Sequence, residues 1–242
     1  MALSIQLLRL AEGMADGSLR VWNDRPGTLL PSPTTAFLIL GAAQPIVVDA
    51  GVTPEVAAAV DGLTVGPEHS LDRQLGRHGL EPGDVGTVLF THLHLDHTGL
   101  VDQFTNARFV VQQTELRYAA APLPPTWMYA VSDIIKLIDP LRERVELIDG
   151  DTQIAPGIRT VVTGGHSPGH QMVYVDVPSG QAVITGDEVY ALDPGLTEGI
   201  QPGYVYSSAC THAALRRIKR DAVHPLPSHE PAIYDLYPDG VF

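Results

Sequence analysis

Six consecutive residues restrict this chain more than any others: His92-Leu93-His94-Leu95-Asp96-His97. Buried imidazoles and carboxylates need partners, and four of them this close together point to bound cations. The apolar run Val88-Leu89-Phe90 precedes them and reads as a buried strand. Thr98-Gly99 follows as a turn. The donors therefore stand just beyond a strand end, where catalytic groups are commonly displayed. His92 and His94 are two apart, so in an extended segment they point to one side and can share a cation. Asp96 and His97 are adjacent and point differently, toward a second cation. Two-metal hydrolytic sites hold their ions about 3.5–4 Å apart. Imidazole with carboxylate suits zinc, and also manganese, iron or cobalt.

The remaining sequence alternates short β-branched runs with helical stretches. Strands are expected at Ala36–Leu40, Pro45–Asp49, Val85–Thr91, Arg108–Gln112, Ile158–Thr163, Met172–Val177 and Gln181–Thr185. Two pairs read as hairpins, Phe37 to Asp49 across Gly41 and Met172 to Thr185 across Pro178-Ser179-Gly180. Thr53-Pro54-Glu55 opens a helix, with Thr53 as N-cap and Pro54 at the first helical position. Further helices are expected at Ser70–His78, Thr114–Ala121, Trp127–Ile138 and Ser207–Arg220. The result is a β-rich, layered α/β pattern, with 242 residues read as a single domain. Leu123 to Leu141 is the least regular region, a candidate for covering a site or carrying an interface.

Later segments offer more donors. Gly165-His166-Ser167-Pro168-Gly169-His170 is a tight turn after a strand, Thr185-Gly186-Asp187 ends another, and Pro227-Ser228-His229-Glu230 follows Ala222 to Leu226. With these in place the chain resembles the metallo-β-lactamase superfamily: His-x-His-x-Asp-His, then a Pro-Gly-His turn, then Gly-Asp, then a late His, all in order. That resemblance implies a four-layer αβ/βα sandwich of two mixed β-sheets flanked by helices, holding two divalent metal ions, zinc first. It makes His92, His94 and His170 the first metal's ligands, Asp96, His97 and His229 the second's, and Asp187 the bridging carboxylate. His166 is read as supporting rather than ligating. His69, His78, His212 and His224 are read as ordinary histidines; His69 lies in a Gly/Pro-rich loop that could approach the site.

Two close cations bring the pKa of a shared water near neutrality. The expected reaction is attack of metal-bound hydroxide on an electrophilic centre, with the oxyanion stabilised by the metals and a donor. Asp187 is followed by Glu188-Val189-Tyr190. A tyrosine three residues after that aspartate resembles the N-acyl-homoserine lactonases of the superfamily. Their pattern implies that Tyr190 donates to the substrate carbonyl and Asp96 assists the leaving alkoxide. Phe104 to Glu115 and Thr163 to Gln171 resemble the same lactonases, and Met14 matches an apolar pocket residue there. The sequence departs from them at Ser228-His229-Glu230, where an aspartate usually follows the histidine, and at Leu192 to Tyr206, which matches nothing.

The implied substrate is a small lactone or ester. The alternatives are a thioester hydrolase resembling glyoxalase II, or another esterase or phosphotriesterase of the fold. The tail Pro231 to Phe242 has no lysine or arginine for the thiol cofactor of the glyoxalase II type. A net charge of -13 argues against nucleic acid. No apolar run is long enough to span a membrane. The short N-terminal run lacks a basic start, so the expected location is cytoplasmic. The lone Cys210 cannot form an internal disulfide and reads as a small apolar filler. Monomer and homodimer are both left open.

Overall fold

The computed structural model describes residues 2–242. The first sheet takes eight strands from the first part of the chain: β1 (Ser4–Asp16), β2 (Leu29–Pro31), β3 (Thr34–Leu40), β4 (Ile46–Val48), β5 (Leu63–Thr64), β6 (Thr87–Leu89), β7 (Arg108–Gln112) and β8 (Val145–Ile148). Their order is β2-β1-β3-β4-β6-β7-β8, with β5 on β1. The second sheet follows in sequence with β9 (Thr152–Ala155), β10 (Ile158–Val162), β11 (Gln171–Val177), β12 (Gly180–Gly186) and β13 (His224–Pro227), ordered β13-β12-β11-β10-β9. Both sheets are mixed: β4, β6, β7 and β8 run parallel, as do β12 and β13, while the remaining pairs are antiparallel.

Alternation along the strands sets the layers. Phe37 and Ile39 of β3 face Val173, Val175 and Ile184 of the second sheet, forming the core between the sheets. Ala36 and Leu38 point the other way, against Leu71, Leu75, Ile134 and Leu137 of the covering helices. On the far side of the second sheet, Met172, Tyr174 and Val183 pack on Ala214, Leu215 and Ile218 of the helix Ser208–Asp221. Two mixed sheets flanked by helices is the architecture that the resemblance implies.

Both expected hairpins form, with Ile39 opposite Ile46 and Val177 opposite Gly180. Thr53 caps its helix by accepting from the Val56 N–H at 3.2 Å. The sequence reading missed β1, the longest strand. It also expected a continuous helix from Trp127 to Ile138. Instead Thr126–Met128 makes a short 3₁₀ turn and the helix begins at Val131. Leu192–Gly199 forms an irregular helical segment broken at Asp193. No helix among the described residues is long and apolar enough to cross a membrane.

Candidate dinuclear metal site

The site lies at the carboxyl ends of β4, β6, β12 and β13. Parallel pairing of β4 with β6 brings Asp49 beside Thr91, just past both strand ends. Parallel pairing of β12 with β13 does the same for Asp187 and His229. Crevices outside the carboxyl ends of parallel strands are the usual ligand sites of such sheets.

Two groups of donor atoms converge there. In the first, His94 Nδ1 lies 3.0 Å from His92 Nε2 and 3.0 Å from His166 Nε2. One ring nitrogen offers a single proton or a single lone pair, so hydrogen bonding cannot satisfy both neighbours. A cation among the three lone pairs would. In the second group, His229 Nε2 lies 3.4 Å from Asp96 Oδ2, and His97 Nε2 lies 3.7 Å from Asp96 Oδ1. Asp187 stands between the groups. Its Oδ1 is 3.4 Å from His97 Nε2 and 3.3 Å from His229 Nε2. Its Oδ2 is 3.5 Å from His166 Nε2 and 3.9 Å from His92 Nε2. His97 Nε2, His229 Nε2 and Asp187 Oδ1 are buried and have no hydrogen-bond partner. Such orphaned groups are rare in folded proteins. The residues therefore fit two divalent cations, each with donors of suitable type.

His170 is not in either group, which corrects the expectation that it, rather than His166, completes the first set. Its Nδ1 is 2.8 Å from the Thr163 hydroxyl, and its Nε2 accepts the Asp187 N–H at 3.3 Å. Both ring nitrogens are thereby engaged within the protein. His166 sits at the apex of the turn, whereas His170 directly precedes β11 and is held at the sheet edge. Two histidines four apart in one turn carry no sequence signal that separates them.

Other groups orient the donors. Asp49 Oδ2 takes His97 Nδ1 at 2.8 Å and the Thr91 hydroxyl at 2.8 Å, while Oδ1 takes the Thr91 N–H at 2.8 Å. The Thr91 hydroxyl lies 3.0 Å from His92 Nδ1. His229 Nδ1 donates to the Pro33 carbonyl at 2.8 Å. Metal-binding histidines usually anchor their second nitrogen in this way. Gly186 is required by contact: a Cβ there would come within 2.6 Å of His170 Nε2 and 2.9 Å of Thr91 Cβ, at φ +51°.

The electrostatics differ between the groups. Burial and neighbouring imidazoles hold His92 and His94 well below the ordinary histidine range, and burial takes His166 down to about 4. Burial also pulls on His97 and His229, but the carboxylates of Asp187 and Asp96, joined at His97 by Asp49, outweigh it and raise both. Burial and the Asp187 and Asp96 carboxylates push the Tyr190 hydroxyl well above its usual range. It stays protonated, and it donates to Asp187 Oδ2. The Tyr190 ring stacks on His229 at 4.8 Å between centroids.

A cleft of about 390 Å³ opens onto the donors, reached by His94, Asp96, Asp187, Tyr190 and His229. Its walls are largely apolar and include Met14, Leu29, Leu63, Trp127 and Met128. The irregular segments thus find their places: Trp127 and Met128 come from Leu123–Leu141, and Tyr204 from Leu192–Tyr206. Glu230 is structural, accepting from Leu192 N at 2.8 Å and Ala232 N at 3.0 Å and facing Arg20 at 3.6 Å. His69 lies in a separate polar cavity with Arg9 and Gln74, its Nδ1 taking the Gly66 N–H at 2.9 Å.

Residues 29–229 match the family model described as the metallo-beta-lactamase superfamily. The chain belongs to that superfamily. It is a metal-dependent hydrolase of that fold. It is 32% identical over 208 residues to N-acyl homoserine lactonase AiiA of Bacillus thuringiensis subsp. kurstaki, covering 81% of this chain and 77% of the relative. It is 31% identical over 204 residues to N-acyl homoserine lactonase AttM of Agrobacterium fabrum, covering 77% and 76%. A solved N-acyl homoserine lactone hydrolase with the product N-hexanoyl-L-homoserine at its catalytic metal centre superposes with a TM-score of 0.84, at 23% identity over 100% of both chains. The dizinc quorum-quenching lactonase AidC superposes at 0.72, with 14% identity over 95% of this chain and 88% of that one.

Proposed function

We propose that this hydrolase opens lactone rings, N-acyl-homoserine lactones first among them, at a pair of divalent cations, zinc above the other candidates. His92, His94 and His166 hold one cation, Asp96, His97 and His229 the other, and Asp187 bridges them. The observation that carries the reading is Tyr190. Its protonated hydroxyl lies on the bridging carboxylate, in the lining of an apolar cleft. Relatives at 32% and 31% identity bear lactonase names.

When bound, two such cations supply a water acidified to near neutrality and polarise the scissile carbonyl. The protein residues do the rest. The apolar walls take the acyl chain and exclude water from the ring carbonyl. Tyr190 turns its O–H from Asp187 to the carbonyl oxygen and stabilises the charge that develops there. Asp96 is less enclosed than Asp187, with a side chain about one-fifth exposed; it takes the proton that the attacking water gives up and passes it to the ring oxygen as the C–O bond breaks. The product is the ring-opened hydroxy acid.

The test is acid release from acyl-homoserine lactones, simple γ- and δ-lactones, a thioester and a phosphotriester, with metal supplied. Turnover on the lactones is expected, with Tyr190→Phe keeping both metals and losing about 10²-fold in rate, the magnitude of one lost oxyanion donor. Turnover confined to the thioester or phosphotriester would overturn the lactonase reading.

A further inference from the structure

The donors differ in how their outer nitrogens are anchored; in the first group His92 Nδ1 rests on the Thr91 hydroxyl. In the second, His97 and His229 each tie down the ring nitrogen that faces away from the cluster, on Asp49 and on the Pro33 carbonyl. In the first, His166 Nδ1 is buried without a partner. No hydrogen bond to this outer nitrogen fixes the ring's direction, so its position depends on the backbone that carries it.

That backbone is gripped by Glu188, a fully buried residue. Its Oε1 accepts the N–H of Gly165 at 3.1 Å, the N–H of His166 itself at 3.1 Å, and the Thr163 hydroxyl at 2.5 Å. Having donated to Glu188, the Thr163 hydroxyl accepts from His170 Nδ1, whose Nε2 in turn accepts the Asp187 N–H. One chain of hydrogen bonds therefore runs from the backbone of the bridging aspartate, through His170 and Thr163, to the carboxylate that holds His166. The fit leaves no slack. A Cβ on Gly165 would lie 2.4 Å from Glu188 Oε2 and 2.5 Å from Thr211 Oγ1.

We propose that Glu188 is the positioning residue of the first cation site, fixing His166 through its backbone, with His170 as the link to Asp187. This assignment rests on the two-cation reading above. It predicts that the two ions respond differently to a change at Glu188. Loss of an outer-shell anchor weakens metal binding by about 10–100-fold, and here the loss falls on one ion.

The experiment is release of zinc from the loaded protein to a chromophoric chelator, with folding checked by circular dichroism. Metal content of the wild type is read first. One ion per chain or fewer overturns the dinuclear reading, and this assignment with it. With two ions, His166→Ala identifies the phase belonging to the first site. Glu188→Ala is expected to accelerate that same phase by about 10–100-fold and leave the other unchanged. Glu188→Gln, whose amide oxygen can accept the same three bonds, is expected to restore slow release. Should Glu188→Ala fail to fold, Thr163→Val removes one of the three donors and is expected to accelerate the same phase by a few-fold. Two unchanged phases in a folded Glu188→Ala, equal acceleration of both, or no rescue by Gln would overturn the assignment.

Discussion

At the scale of single residues, His166 and His170 make the sharpest contrast. Both are fully buried in one turn, yet only His166 directs a free nitrogen at the cluster. His166→Ala is expected to lower the metal content from about two ions to about one by elemental analysis, whereas His170→Ala keeps both ions while slowing turnover. Equal metal loss in the two variants would contradict the geometry. Asp49 shows where sequence was silent. Its carboxylate serves His97 and Thr91 from a neighbouring strand, with φ at +65°. It stands at the end of an expected strand, but nothing local marks it as facing a metal site 43 residues later. The spacing of His92 to His97 was legible because adjacent donors report their own purpose. Contacts made across strands, such as those of Asp49 and Glu188, are set by register, and register is not written in one segment.

At the scale of elements, the helix Val131–Ile138 carries Asp133, buried with Oδ2 unpartnered and Oδ1 3.4 Å from Lys136 Nζ. Lys136 also reaches Asp102 at 3.3 Å. Burial raises the Asp133 carboxyl above its ordinary value, and Lys136 only partly opposes it. The folded protein then binds more protons at Asp133 than the unfolded chain does, so this group removes stability as pH rises from about 4 toward neutrality. Asp133→Asn abolishes that term. Its melting temperature relative to wild type is expected to improve as pH rises from about 4, the ordinary aspartate value, to about 8, measured by calorimetry at fixed metal. A constant difference across that range would refute it. The missed strand β1 has an equally local cause. Its register on β3 shifts between Arg9 and Ala11, so the neighbours Leu10 and Ala11 are both buried and strict alternation is lost there. A bulge of this kind breaks the period of two on which strand recognition depends. The hairpin of β11 and β12 has no such irregularity and was readable from its turn.

At the scale of the molecule, the layered architecture followed from the mixture of short apolar strands and amphipathic helices, and from the family pattern. In the cleft Met14 stands where the resemblance put it and Trp127 comes from the region expected to cover a site, whereas Tyr204 was not foreseen, because Leu192 to Tyr206 matched nothing. The two sheets are also sequence-contiguous: β1–β8 build one and β9–β13 the other. Both cation sites draw donors from both sheets. Ions that bind only the folded state stabilise it, each by about 4 kcal/mol at a thousandfold excess over its dissociation constant. Chelation of both is therefore expected to lower the melting temperature by about 20 °C, and an unchanged transition in the stripped protein would count against cations joining the sheets.

The break between β8 and β9 has a further meaning. A cut between Ile148 and Thr152 would give two fragments, one bearing His92, His94, Asp96 and His97, the other His166, Asp187 and His229. Neither fragment owns a complete coordination sphere. On the proposed two-cation reading, uptake of the ions would certify that the two parts of the chain have met in the right register, and a misassembled molecule would also be a metal-poor and inactive one.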